Sequence, residues 1–184
     1  PWSSNSFLSC VGIINADQER KIYWFNHRDI DVTKINYKEQ IREIQAVIDS
    51  HTRLVGHNLA FDLLWLWHIG IDTSKIKCYD TQVGAYIISG QTRKMVSLNE
   101  ECDHYKIPTK IDRVKMYWEN GIDTDEVPID LLSEYLFQDL YCTQGVFLKQ
   151  ARDIKRLKLG TIIKLNMELM PILAEIKYNG MRLD

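Results

Sequence analysis

No run of 18 apolar residues occurs in this 184-residue chain, because its apolar-rich stretches are broken by His, Asp, Lys or Gln. That argues against a membrane-spanning helix, and no secretory leader is visible. Its four cysteines, Cys10, Cys78, Cys102 and Cys142, include no C-x-x-C pair. Neither a disulfide framework nor a zinc site is suggested, and an intracellular protein is expected. Cys102 and His104 form a lone C-x-H, read as a buried thiol beside a surface imidazole. A positive excess is also lacking, since 23 Lys and Arg stand against 25 Asp and Glu. A protein that coats nucleic acid by electrostatics alone is therefore disfavoured. An enzyme that holds phosphate through metal ions stays open. Internal repeats are absent as well, and the length fits one domain, with or without a short extension.

What is there is an alternation of strand and helix patterns. "FLSCVGIIN" and "KIYWFNH", separated by the polar "ADQER", read as a β-hairpin. From Asn36 the period changes to about 3.6, with Ile41, Ile44 and Ile48 on one face and Glu39 placed for a capping box. "RLVGHN" reads as the next strand, followed by a deeply packed helix "LAFDLLWLWHIG" ended by Gly70. "QVGAYIIS" and "SLNEECDHYKI" are helices, the second capped by Ser97 with Glu100 three residues on and stopped by Pro108. The segment from 110 to 128 reads as acidic surface loop with a helical piece. A long helix is expected from about Ile129 to Lys158, then a break at Gly160 and a second amphipathic helix over "NMELMPILAEIKYNGMRLD", closed by Asn179 and Gly180. Lys149, Arg152, Lys155, Arg156 and Lys158 read as a solvated helix face. The pattern predicts an α/β protein with a mixed β-sheet flanked by helices.

On the long helix, Leu132, Leu136, Leu140, Thr143 and Phe147 fall on one line facing the core, with Glu134, Gln138 and Tyr141 opposite. Asp139 sits on the shoulder of that stripe, and Tyr135, four residues earlier, shares its face. A carboxylate there loses hydration unless it is paired or binds a cation. Taken alone, the pair also fits a buried Asp bonded to backbone beside a packed ring. Asp62 is a second isolated acid, in the first turn of an apolar helix, where it also complements the helix dipole. Together the two acids point to a divalent cation with oxygen ligands, Mg²⁺ or Mn²⁺ rather than zinc.

"GHNLAFD" and "EYLFQD" resemble the second and third motifs of proofreading 3′-to-5′ exonucleases of the DnaQ-like DEDD superfamily, in its tyrosine variant. "CYDTQVGAYII" and "SLNEECDHYKI" resemble that family's connecting elements. "MELMPILAEIKYNGMRLD" resembles the segment leading into the polymerase part of family A DNA polymerases, and "WENGIDTDEVP" resembles phage members. The resemblance implies a ribonuclease H-like fold, with residues 1–158 as exonuclease domain and 159–184 as a linker helix leading into a polymerase domain. It implies two-metal hydrolysis of the 3′-terminal phosphodiester, with Asp62 and Asp139 as metal ligands. Tyr135 then orients the attacking water, and Asn58 sits beside the 3′-terminal nucleotide. His57 matches no catalytic position and is expected to pack or to bond backbone. The implied partners are the 3′ end of single-stranded DNA and the polymerase domain of the same chain. The implied setting is a monomeric phage-encoded enzyme in the bacterial cytoplasm.

The family also carries a D-x-E pair on a first strand, upstream of the place where this chain starts. The expectation is therefore an N-terminally incomplete domain whose sheet lacks that strand and self-associates through the exposed edge. Asp17-Gln18-Glu19 has the D-x-E letters but falls in the hairpin turn, away from the other acids. The competing expectations are an exoribonuclease of the same superfamily and a noncatalytic scaffold holding single-stranded DNA on aromatic rings. Trp65 and Trp67 are expected in the core.

Overall fold

The computed structural model describes residues 6–109 and 113–180. Strands β1 (Cys10–Ile14) and β2 (Arg20–Trp24) form the antiparallel hairpin, with Cys10 opposite Trp24 and Ile14 opposite Arg20. The Asn15 amide donates to the Glu19 carbonyl at 3.0 Å, and Asn15 Oδ1 accepts from the Glu19 amide, which closes the turn. At the other end Ser9 accepts from the Phe25 amide. Backbone bonds alternate along an antiparallel pair, so Val11 and Ile13 bond to β2 while the amides and carbonyls of Cys10, Gly12 and Ile14 point to the opposite edge.

Helix α1 (Tyr37–Ser50) follows, with Asn36 Oδ1 accepting from the Glu39 amide. Only this half of the expected capping box forms, because the Glu39 carboxylate pairs with Arg42. Ile44 and Ile48 of α1 join Tyr23, Phe25, Leu66 and Ile71 in one core cluster, against which Val11 and Ile13 pack.

Strands β3 (Arg53–Gly56) and β4 (Lys77–Asp80) are parallel, with Gly56 beside Asp80, and helix α2 (Leu59–His68) crosses between them. The Lys77 amide donates to the Thr52 carbonyl, so the backbone groups of Arg53 and Val55 point away from β4. Helix α3 (Thr81–Ile88) leaves β4 directly. Helix α4 (Leu98–Tyr105) starts at a full capping box, Ser97 with Glu100. It ends with Lys106 in the left-handed region, before Pro108. Helix α5 (Arg113–Glu119) and a 3-10 turn over Thr124–Glu126 occupy the expected loop, of which 110–112 lies outside the described residues.

The strands do not join into the single mixed sheet expected from the sequence. Among the described residues they form two two-stranded sheets, one antiparallel and one parallel. β1 and β3 each keep an edge without a strand partner, so the two halves are held by the helices packed on them.

Helix α6 (Ile129–Arg156) does most of that holding. Leu136 and Leu140 press on Gly12 of β1, where an added Cβ would stand 2.7 Å from the Leu136 side chain. Arg20 of β2 lies over the Phe137 ring, and Phe147 meets Tyr79 of β4 edge-on. The most buried positions of α6 are Leu132, Cys142, Val146 and Gln150, a face rotated from the expected stripe. The cause is α4, whose Cys102 and the following Ile107 pack on Cys142 and Val146. Glu134 and Tyr141 are exposed, as the helix phase predicts.

Helix α7 (Gly160–Asn179) begins at the glycine itself, six residues before Asn166. Met167, Met170 and Ala174 turn it back onto α2 and β4, where Met170 and Ala174 meet Leu59 and Leu63.

Candidate active site

The carboxyl ends of β3 and β4 lie side by side, and α2 and α3 start from them. Such strand ends are where parallel α/β sheets place their sites. Gly56 allows a tight exit from β3: an added Cβ would stand 2.7 Å from Leu59 Cδ1 and 3.4 Å from Asp62 Oδ2. Asn58 then takes the left-handed conformation, φ 56° and ψ 45°, which asparagine tolerates better than most residues. It stands at the helix start, yet its side chain makes no capping bond and is exposed.

The capping is done by Asp80. This residue is 2% exposed, and its carboxylate accepts from four backbone amides on two helices. Asn58 and Leu59 donate at 3.0 and 2.8 Å, and Gln82 and Val83 at 2.8 and 3.4 Å. Burial raises its pKa, and the amides and the nearby His57 work against that rise. Asp80 thus ties the start of α2 to the start of α3.

Asp62 is one turn into α2. Loss of hydration in this crowded corner, helped by the Asp80 carboxylate, pushes it up to about 7, while its own backbone amide pulls the other way. The residue is nevertheless open to solvent, so water screens part of the effect. The result is a reachable carboxylate that holds a proton near neutrality, the state a cation displaces on binding.

His57 bonds as expected for a packing residue. Its Nδ1 lies 2.9 Å from Thr81 Oγ1 and its Nε2 2.9 Å from the Val96 carbonyl, which Gln82 Nε2 also reaches. Burial lowers its pKa. The histidine fixes the segment between α3 and α4 next to Asn58.

Tyr135 and Asp139 share one side of α6, as the sequence spacing requires, and both are half-buried. The Tyr135 ring meets Trp118 edge-on at 5.5 Å and joins the cluster of Val114, Val127 and Leu132. The hydrogen bond between Cys102 and Cys142 raises the Cys102 thiol and lowers that of Cys142, and the nearby Asp139 charge adds a smaller upward push on both. Asn58 and Asp62 are therefore brought together on the β3–α2 turn, and Tyr135 with Asp139 on α6, which packs against β3 as well as β1. Among the described residues no three His, Cys, Asp or Glu side chains converge as a ready-made metal cage. Asp17 and Glu19 stay in the hairpin turn, whose Gln18 reaches Gln144 of α6 at 3.0 Å.

Asp80 escaped the sequence reading. The available signal was an N-cap acid in "YDTQ", but its other two donors lie 21 and 22 residues upstream. A second buried network was equally hidden: Gln150 accepts from Tyr79 and donates to Thr81 and to Glu101, which pairs with Arg93 at 2.6 Å. Trp65 and Trp67 are half-buried, and Trp67 donates to Thr73.

The larger hollow, about 990 Å³, lies along the outer edge of β4 beneath α7 and is lined by Trp67, Phe147, Ile163 and Met167 among others. It shares no residue with Asn58, Asp62, Tyr135 and Asp139. No helix among the described residues is long and apolar enough to cross a membrane. No protein-family model and no solved structure matches this chain.

Proposed function

We propose that this chain is the 3′-to-5′ proofreading exonuclease domain of a family A DNA polymerase, acting on the 3′ end of single-stranded DNA. The observation that carries the reading is Asp62: a solvent-open carboxylate held near a pKa of 7 just past the end of β3, a strand that also packs against α6, the helix that carries Tyr135 and Asp139. The divided sheet agrees with it. An antiparallel pair and a parallel pair, both touching α6, are the kinds of strand pairing that a ribonuclease H-like mixed sheet combines.

Asp62 and Asp139 supply hard oxygen donors, which fit Mg²⁺ or Mn²⁺. When bound, such ions supply an activated water and charge stabilisation at the phosphate. The protein's own residues have simpler tasks. Asn58, exposed and free of capping duty, presents an amide to the terminal nucleotide. The Tyr135 hydroxyl orients a water on the side of α6 that carries Asp139.

The test is Mn²⁺ binding followed by calorimetry, beside a ladder assay on 5′-labelled single-stranded DNA and RNA of the same sequence. Asp139→Ala is expected to lower Mn²⁺ affinity at least about tenfold and to abolish any stepwise shortening of DNA, with the melting temperature nearly unchanged. Unchanged Mn²⁺ binding in this variant would remove the metal-ligand assignment and leave a scaffold. Shortening of RNA in preference to DNA would reassign the substrate.

A further inference from the structure

We propose that Cys102 and Cys142 are a reversible oxidation site, at which a hydroperoxide closes a disulfide that locks α4 onto α6. The two thiols come from different helices and share one buried cluster with Ile107 and Val146, Cys102 at 0% exposure and Cys142 at 2%. They are hydrogen-bonded to each other. A bond between the sulfurs therefore needs only a short further approach of the two side chains. The helices are already close there. Gly145, one turn after Cys142, faces Ile107, and an added Cβ would stand 3.1 Å from Ile107 Cδ1. Gln150 donates to Glu101 at 3.0 Å and Tyr105 donates to Asp153 at 2.9 Å, so polar bonds also fix the register of α4 on α6.

The two sulfurs are unequal. Cys142 Sγ accepts from Gln138 Nε2 at 3.2 Å as well as from the Cys102 thiol. Donors favour the thiolate, which makes Cys142 the attacking sulfur. The same Gln138 amide donates to the carbonyl of exposed Pro108 at 3.2 Å, so Cys142 lies one side chain beneath the surface. Displacement of Gln138 admits an oxidant the size of hydrogen peroxide. The Cys142 thiolate then attacks one peroxide oxygen, the O–O bond breaks, and the leaving hydroxide takes up the thiol's proton as water. Cys142 is left as a sulfenic acid. The Cys102 sulfur attacks Cys142 Sγ, the S–O bond breaks, and hydroxide leaves with the Cys102 proton as a second water. Two thiols have lost two electrons, and the peroxide has gained them. A dithiol reductant reverses the step. Cys10 and Cys78 lie apart on β1 and β4, where burial pushes their thiols up to about 12 and about 11, and they serve as internal references.

The site is independent of the exonuclease reading, since its test reads mass and melting temperature and not hydrolysis. The full chain is exposed to about 1 mM hydrogen peroxide at neutral pH, its remaining thiols are alkylated in denaturant, and its peptides are mapped without reduction. The expected product is one peptide pair joined through Cys102 and Cys142, with Cys10 and Cys78 alkylated. The bond closes a loop of about 40 residues, so the melting temperature is expected to rise by about 5 °C and to fall back with dithiothreitol. Cys102→Ala is expected to hold Cys142 as a sulfenic acid that dimedone captures, whereas Cys142→Ala leaves Cys102 a thiol. Mapping of the parent chain needs no substitution, so a variant that fails to fold does not spoil the test. Four alkylated thiols after an exposure that joins the pair in urea would overturn the proposal. Links through Cys10 or Cys78 would overturn the pairing, and a joined pair with an unchanged melting temperature would overturn the lock. Equal capture by dimedone in the two variants would overturn the role given to Cys142.

Discussion

Asp62 and Asp80 are both acids at the start of a helix that leaves a parallel strand, and their circumstances are opposite. Asp80 is buried and answered by four amides, so its charge is spent on architecture. Asp62 is open to solvent and held near a pKa of 7, so its charge remains available. The one acid fixes the turn on which the other is displayed. Burial alone does not separate their roles; the number of donors each one already has does.

Removing the fixed acid should have the largest effect. Asp80→Ala leaves four amides on two helices without their acceptor and is expected to cost about 3 kcal/mol, read as a lower melting temperature and an earlier denaturant midpoint. Asp80→Asn keeps the Oδ1 acceptor used by Asn58, Gln82 and Val83, so its cost should be well under half as great. Equal losses in the two variants would mean that the negative charge, not the geometry, holds the turn.

Next comes Gly56, which pairs in register with Asp80 at the exit from β3. Gly56→Ala places a methyl against buried Leu59 and is expected to cost about 2 kcal/mol by the same measurement. A neutral result would show that Leu59 can move aside to admit the methyl.

Asp62→Asn should have the smallest effect and the opposite sign. The folded protein keeps a proton on Asp62 that the unfolded chain releases near pH 4, its ordinary range. Between about pH 4 and 7 the native state therefore binds more protons, and this group's contribution to stability falls as pH rises. Asp62→Asn removes that loss, so the variant should match the parent at pH 4 and exceed it by on the order of 1 kcal/mol at pH 7, after allowance for solvent screening. Identical pH profiles for the two proteins would return Asp62 to an ordinary surface acid. A gain in stability paired with lost Mn²⁺ binding is the pattern of a functional carboxylate.

How much of this was legible in the sequence depends on how far apart the interacting residues are. The hairpin turn, α1 and the capping box at Ser97 rest on neighbours within four residues, and the structure has them where the pattern puts them. The helix phase also placed Tyr135 with Asp139 correctly. It missed the tilt of the buried face toward Cys142 and Val146, because α4 packs there and nothing local to α6 announces α4. The single mixed sheet failed for the same reason, since strand patterns do not say which strands become neighbours. The start of α7 was missed because a glycine reads as a break, whereas at a helix terminus it costs little.

Among the described residues helix α6 contributes to three of five apolar clusters and presses directly on β1 as well. Fraying of its middle turns would uncover Cys102 and Ile107, and loss of its first turns would uncover Val114 and Val127. Among the described residues no strand of one half-sheet is paired with a strand of the other, and α6 joins the two beside the cluster in which Leu54 of β3 packs with Tyr23 of β2. Both half-sheets are therefore expected to exchange with α6 as one cooperative unit.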